Sequence, residues 1–325
     1  MFKKLEISVQ TVLLTLAILV GAWLVVEIRD ILFLVFIAFL LMTGIYPLVL
    51  LLERIKIPRF LAILIIYALV FGVFGFSIVS AIPSLITQMT RLATELPGVI
   101  AKVLPYWNID TNTIVAQLAP IGENVVKFTV GIFSNIITTM TVLVFTFYFL
   151  LERRRIKTVI SDTFGDAVAA HIFQVIRAIE IRLGAWVRGE LILMLTIGVL
   201  VYIGLTILKV DFALPIAILS GLLEIVPNIG PIISAIPAVL IGLGTSPVMA
   251  LSVIILYVVI QQVENNIIVP LIMKRNLGLS PLISILALMI GGKLAGVTGA
   301  ILAVPVLLVC QVILNKLLNT KNPAA

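Results

Sequence analysis

Apolar runs of about 20 residues recur along this chain, separated by short charged intervals, and they constrain its fold more than any other feature. A helix rising about 1.5 Å per residue needs that length to cross a hydrocarbon core about 30 Å thick. Hydrophobic residues make up 62% of the 325 residues and charged residues 11%, too few polar side chains to coat a water-soluble exterior of this size. The expected fold is therefore all-α and polytopic, with about 6–8 transmembrane helices in a lipid solvent.

The first apolar run, at 8–26, is too long for a signal peptide, is followed by no small-residue cleavage site, and leads at once into a second at 31–51. The sequence ERIKIPR at 53–59 precedes a third run at 60–80, so residues 1–81 read as three membrane helices. Residues 82–127 change in texture. Pro83, Pro97, Pro105 and Pro120 alternate with Arg91, Glu95, Lys102, Asp110, Glu123 and Lys127, which suits a small extracytoplasmic segment. A fourth span at 128–151 ends in ERRRIK (Glu152–Lys157). Within 152–190, Ile172, Val175, Ile176, Ile179 and Leu183 recur at helical spacing, the pattern of a cytoplasmic amphipathic helix beside the membrane. Residues 191–318 form an apolar C-terminal core that begins with a span at 191–208, and 319–325 form a tail.

Orientation follows from where Lys and Arg collect. Lys3 and Lys4 precede the first span, Arg54, Lys56 and Arg59 follow the second, and Arg153, Arg154, Arg155 and Lys157 follow the fourth. This places both termini in the cytoplasm and the proline-rich segment outside. The net charge of +7 is accounted for by these flanks, which leaves no basic surface to suggest a nucleic-acid partner.

The C-terminal core does not divide into uniform helices. Pro227-Asn228-Ile229-Gly230-Pro231 interrupts the apolar stretch 211–245, and a proline removes a backbone donor and clashes with the preceding turn. Pro231 is expected to push Gly230 out of helical geometry, leaving an unwound PNIGP. A second stretch, 281–318, is interrupted by GGKLAGVTG with Gly291, Gly292, Gly296 and Gly299. Each stretch is either a kinked crossing helix or a re-entrant hairpin. The hairpin is favoured because it leaves Lys274 and Arg275 cytoplasmic. Glu224-Ile-Val-Pro227 before one break and Glu264 to Pro270 before the other form a faint internal echo.

Three blocks carry a family resemblance: GLLEIVPNIGPIISAIPAVLIG (221–242), QQVENNIIVPLIMKRNLGLSP (261–281) and GGKLAGVTGAILAVPV (291–306). Together they resemble the AI-2E transporter family, also called PerM-like permeases, and the likeness extends over essentially the whole chain. It implies a prokaryotic inner-membrane protein that exports a signal such as autoinducer-2 or exchanges Na+ or Li+ for H+. It also implies a homo-oligomer, plausibly a pentamer. No cofactor is implied.

Glu224 and Glu264 lie in strongly apolar surroundings. A carboxylate at membrane depth is expensive and normally faces protein or water, where it can hold a proton or a cation in turn. The alternative is a structural acid bonded to Gln261, Asn265 or a helix N-terminus. Gln261, Gln262, Asn265 and Asn266 spread a polar arc around Glu264, suited to lining a passage or to a subunit contact. Asn228 and the carbonyls at the first break offer neutral oxygens for a transient Na+ or a small polyol, or else the break is a plain hinge. Lys293 at the second break either meets an anionic group, a ligand or one of these acids, or snorkels to the interface. The glycines there suit a turn and close packing, and no GxxxxGK[ST] phosphate loop is present.

One His, His171, and one Cys, Cys310, exclude an HExxH zinc site and a cysteine metal cluster. His171 reads as a surface residue and Cys310 as a small hydrophobe. Trp23 and Trp186 read as interface anchors. An intramembrane enzyme finds no support. The leading expectation is a secondary transporter; a passive channel for a small polar solute and an oligomeric scaffold or sensor are the alternatives.

Overall fold

The computed structural model describes residues 9–70, 136–227, 229–273 and 280–319, together with three single positions between 71 and 100. The proline-rich segment at 82–127, Trp107 and Asn228 lie outside the described residues. The described chain is helical throughout: α1 Val9–Glu27, α2 Arg29–Arg54, α3 Arg59–Val70, α4 Ile136–Phe164, α5 Asp166–Ile207, α6 Ala213–Leu223, α7 Ile229–Thr245, α8 Pro247–Val263, a π-turn segment Glu264–Ile268, α9 Val269–Met273 and α10 Pro281–Asn319. Among the described residues, four helices are long and apolar enough to cross a bilayer: Arg29–Arg54, Asp166–Ile207, Pro247–Ile272 and Leu282–Lys316.

Polarity is inverted relative to a soluble bundle. Leu13, Leu14, Ile18, Leu19, Trp23, Leu195 and Ile207 are each more than half exposed, while Glu180, Glu190, Glu224 and Glu264 are buried. Such a surface has its low-energy solvent in lipid tails, and the polar groups turn inward.

Helix α5 is the hub, packing against α2, α4, α6, α8, α9 and α10. It runs for 42 residues without interruption, so the amphipathic region ending near 190 and the span beginning near 191 belong to one rod. The local reason is composition: Asp166–Ile207 contains no proline, and Gly184, Gly198 and Gly204 sit at contacts with neighbouring helices. The rod is set off from α4 at Gly165, whose φ of 81° is the left-handed geometry that glycine accepts without a Cβ penalty. Three apolar clusters surround α5. One joins it to α6, α7 and α8 through Ile197, Val201, Leu205, Ile216, Ala238 and Val253. A second joins it to α2 and α10 through Leu40, Leu183, Trp186, Leu302 and Leu308. The third, including Met42, Val49, Ile63 and Leu150, joins α2, α3 and α4. Trp186 is thus a core residue, only 5% exposed, and not an interface anchor: α2 and α10 cover the face of α5 from which it projects.

Two further details differ from sequence expectation. Helix α7 starts at Ile229, so Gly230 and Pro231 are helical, and the described irregular stretch is 224–227 instead of the full PNIGP. A proline in the first turn costs nothing, because the N–H it lacks would have had no intrahelical partner. Gly230 is also where α7 meets the end of α6: a Cβ there would strike the Leu223 carbonyl. The ERRRIK run does more than mark topology. Arg153 donates to both oxygens of Glu180 on α5, at 2.9 and 2.5 Å, and to the Tyr46 hydroxyl on α2 at 2.6 Å. Nearby, Arg59 on α3 donates to the Leu150 carbonyl on α4 at 2.7 Å. Basic side chains therefore tie α2, α3, α4 and α5 together at one end.

Candidate functional site

Three helical ladders carry the candidate site. On α6, Ser220 and Glu224 are one turn apart. On α8 and its continuation, Tyr257, Gln261 and Glu264 follow at intervals of four and three. On α5, Gly198, Met194 and Glu190 follow at intervals of four. The α5–α6 contact sets the register: the Gly198 backbone lies against Ala217 and Gly221, and Gly221 lies against the Met194 carbonyl. The two helices run antiparallel, so one turn further along α5 brings Glu190 opposite the end of α6, where Glu224 stands.

The lower rung of the ladder is neutral. The Tyr257 hydroxyl lies 3.0 Å from Ser220 Oγ and donates to the Ser234 carbonyl at 3.4 Å. Ser220 and Ser234 are fully buried and Tyr257 nearly so; their bonds join α6, α7 and α8 beside the 224–227 break. The upper rung is acidic. Glu224 is 1% exposed, Glu190 3% and Glu264 4%. The three acids stand near enough for the charges of Glu190 and Glu264 to act on Glu224, and Glu224 Oε2 is left without a hydrogen-bond partner. Gln261 donates to Glu264 Oε2 at 3.1 Å.

Glu264 reaches this place because the helix widens there. Val269 donates to the Glu264 carbonyl, five residues back, and Pro270 follows. Proline has no N–H to give, and its ring clashes with the carbonyl four residues earlier in a regular helix. The π-turn relieves that clash and resets the side-chain register, as such bulges do at functional sites.

The remaining predicted residues are spread around this centre. Gln261 is half-buried and touches Glu264, as above. Gln262 and Asn266 are exposed and bond to each other, Asn266 Nδ2 to the Gln262 carbonyl at 2.9 Å, and Asn265 is exposed beside them. Pro227 is half-buried in the irregular stretch, and Gly230 and Pro231 are buried in α7. Lys293 is exposed and makes no ion pair among the described residues; it sits on α10, away from the carboxyl groups. In α10 the turn itself is at Ala295 and Gly296, the latter with φ 58°, while Gly291 and Gly299 face one another so closely that a Cβ on either would strike the other's carbonyl. Gly292 faces open space.

Sequence reasoning missed Glu190. It stands where a polar amphipathic segment gives way to an apolar span, a position that reads as interfacial. Its signal was the helical continuity of 166–207, which puts it on the same face as Gly198 and Met194, one turn beyond their contact with α6. Among the described residues, no group of three or more His, Cys, Asp or Glu side chains is disposed to hold a metal ion.

Comparison with known proteins agrees with this architecture. Residues 12–319 match the family described as AI-2E family transporter. The Bacillus subtilis protein named "Putative transport protein YueF" is 30% identical over 285 residues, covering 80% of this chain and 77% of its own. A Haemophilus influenzae "Putative transport protein" is 30% identical over 301 residues, covering 86% and 84%. YhhT of Escherichia coli K12, similarly named, is 30% identical over 239 residues, covering 72% and 67%. A multi-pass helical bundle, buried acids beside a helix break and a family match over nearly the whole chain lead to one assignment: this protein is a member of the AI-2E transporter family, a transporter-type membrane protein and not an enzyme.

Proposed function

We propose that the protein is an ion-coupled secondary transporter, moving a small solute or ion across a prokaryotic inner membrane, with Glu224 and Glu264 as its coupling groups. The observation that carries this reading is the pair of buried carboxyl groups, Glu224 and Glu264, brought together at a helix break with Glu224 Oε2 left without a hydrogen-bond partner. A structural acid needs a lasting partner. A pair that holds a proton between them can instead release it when a cation or substrate arrives, or when the site opens to the other side. Exchange of Na+ or another monovalent cation for protons uses such a pair most directly.

The fold supports the remaining parts of the reading. With both termini cytoplasmic, α5 runs outward, α6 re-enters, α7 returns and α8 runs inward, so that 211–245 is a re-entrant hairpin. Counting about 1.5 Å per residue, Glu224 lies about 16 Å below the outer end of α6, and Glu190 and Glu264 about 26 Å below the outer ends of α5 and α8, all within a core about 30 Å thick. The second hairpin is α10. Residues eight apart in a straight helix are separated by about 12 Å, whereas Gly291 and Gly299 are in backbone contact, so the chain doubles back at Gly296. Two broken elements in the same half are a common way to build an ion site within the membrane. Gln261, Asn228 and the carbonyls at 224–227 supply neutral ligands, Gln262 and Asn265 line the approach or a subunit contact in a homo-oligomer, Pro227 and Gly296 act as hinges, and Lys293 serves the membrane interface.

The test is flux in liposomes. Purified protein is reconstituted with a pH indicator inside, and a sodium gradient is imposed. Saturable proton movement is expected, and it is lost in Glu224→Gln and Glu264→Gln variants that remain folded and in the same oligomeric state. No proton movement by folded wild-type protein refutes cation–proton exchange and makes export of a labelled uncharged signal molecule the next assay. Proton movement that both variants retain refutes the assignment of the coupling groups and points to a passive conduit.

A further inference from the structure

We infer that Glu190 is a third member of this site, placed to take up and pass on the transported proton beside Glu224 and Glu264, and is not an acid that holds the bundle together. The inference deepens the ion-coupled reading and rests on it. The molecule supplies its own comparison for what a bundle-holding acid looks like. Glu180, ten residues earlier on α5, accepts from two nitrogens of Arg153 and is fully engaged. Glu190 is as deeply buried, yet neither of its carboxyl oxygens has a hydrogen-bond partner among the described residues. An unpartnered buried carboxyl costs free energy that a purely structural position would not keep.

The groups that face Glu190 are themselves acids. Glu264 acts on it from the π-turn segment, and it acts on Glu224 at the end of α6. The basic side chains of α5 turn elsewhere: Arg188 Nη1 reaches the Thr43 carbonyl on α2 at 3.3 Å, and Arg182 donates to Gln311 on α10 at 2.9 Å. Glu224 likewise keeps one oxygen, Oε2, without a partner. Glu190 and Glu224 thus hold free acceptor atoms on two helices near Glu264, and among the described residues Gln261 is the neutral side chain bonded there. Acceptors without donors suit a visiting proton or small cation, and they do not suit an anion or a neutral donor-poor solute.

Two measurements on full-length protein decide the matter. In the liposome assay, Glu190→Gln preserves shape and hydrogen-bonding capacity and removes the charge. Loss of sodium-driven proton movement, or a displaced pH profile, is expected while melting temperature is maintained or raised. Wild-type flux with an unshifted pH profile in Glu190→Gln overturns the inference and leaves the role of Glu224 and Glu264 standing. The second measurement does not need flux: a hydrophobic carbodiimide is reacted with purified wild-type protein, and modification at Glu190 is read by mass spectrometry in sodium chloride and in choline chloride. Modification that sodium suppresses, and that changes in Glu224→Gln, supports a shared site even if the liposomes prove silent. Modification indifferent to both, or none at all, overturns it.

Discussion

Replacing Arg153 with methionine isolates the polar clamp at the α4–α5 end and has a magnitude that the structure sets. The side chains of Arg153 and Glu180 are 14% and 9% exposed, so the pair is nearly desolvated. Its geometry is bidentate, with a third bond to Tyr46 and the guanidinium 4.0 Å from that ring's centroid. Burial opposes the Arg153 charge, but the bonded Glu180 and Tyr46 outweigh it and hold the guanidinium above its ordinary value, so alkaline titration does not release the clamp. Removing one partner strands the other as an uncompensated buried charge, which costs about 3–5 kcal/mol. With an unfolding entropy of about 2.1 cal/mol/K per residue, a chain of this length loses about 1.5 °C for each kcal/mol, so the melting temperature in detergent should fall by about 4–7 °C. Replacing both residues, Arg153→Met with Glu180→Leu, should recover most of the loss, because a well-packed apolar pair is often as stable as a buried ion pair. The readout is a double-mutant cycle by thermal melting. A drop in the double variant equal to the sum of the two single drops would mean the two side chains are not coupled, and the clamp would be refuted.

The other predictions concern the inner helices. Gly299→Val should abolish correctly folded protein, because its side chain would enter the Gly291 backbone, whereas Gly292→Ala, facing open space, should fold normally; size-exclusion profiles of the two variants check this, and equal behaviour would refute the α10 hairpin. Tyr257→Phe removes the bonds to Ser220 and Ser234 and should lower stability by about 1 kcal/mol, measured by thermal melting, without abolishing flux. The Gln variants of Glu224, Glu264 and Glu190 should lose or displace sodium-driven proton movement with little change in melting temperature, in contrast to Arg153→Met. A mutational pattern in which flux tracks stability across all of these would argue against a dedicated coupling site.

Some of this was readable from residue order alone. Glu224 and Glu264 stood out because each interrupts an apolar run, and Pro227 with Pro231 marked one region where regular helix must yield. The location of the breaks was less legible. Proline is harmless in the first turn of a helix, so Pro231 starts α7 in place of disrupting it, and the irregular backbone lies one turn earlier. Pro270 acts backward on the preceding turn, and only the backbone shows that the response is a π-turn at Glu264. Trp186 and Glu190 were misplaced for a common reason: a one-dimensional polarity profile assigned their stretch of α5 to the membrane edge, whereas α2, α6 and α10 pack around it.

Membrane residence, helical class and family follow from the sequence by itself, because lipid leaves a chain of this composition no choice except to satisfy its backbone within helices. Which acids meet depends on antiparallel register between α5 and α6, set by backbone contact at Gly198 and Gly221, and on a widened turn that aims Glu264 across to Glu224. Those are relations between segments far apart in the chain, decided by packing. Local spacing carries no record of them, which is why the third carboxyl emerged only when the helices were assembled.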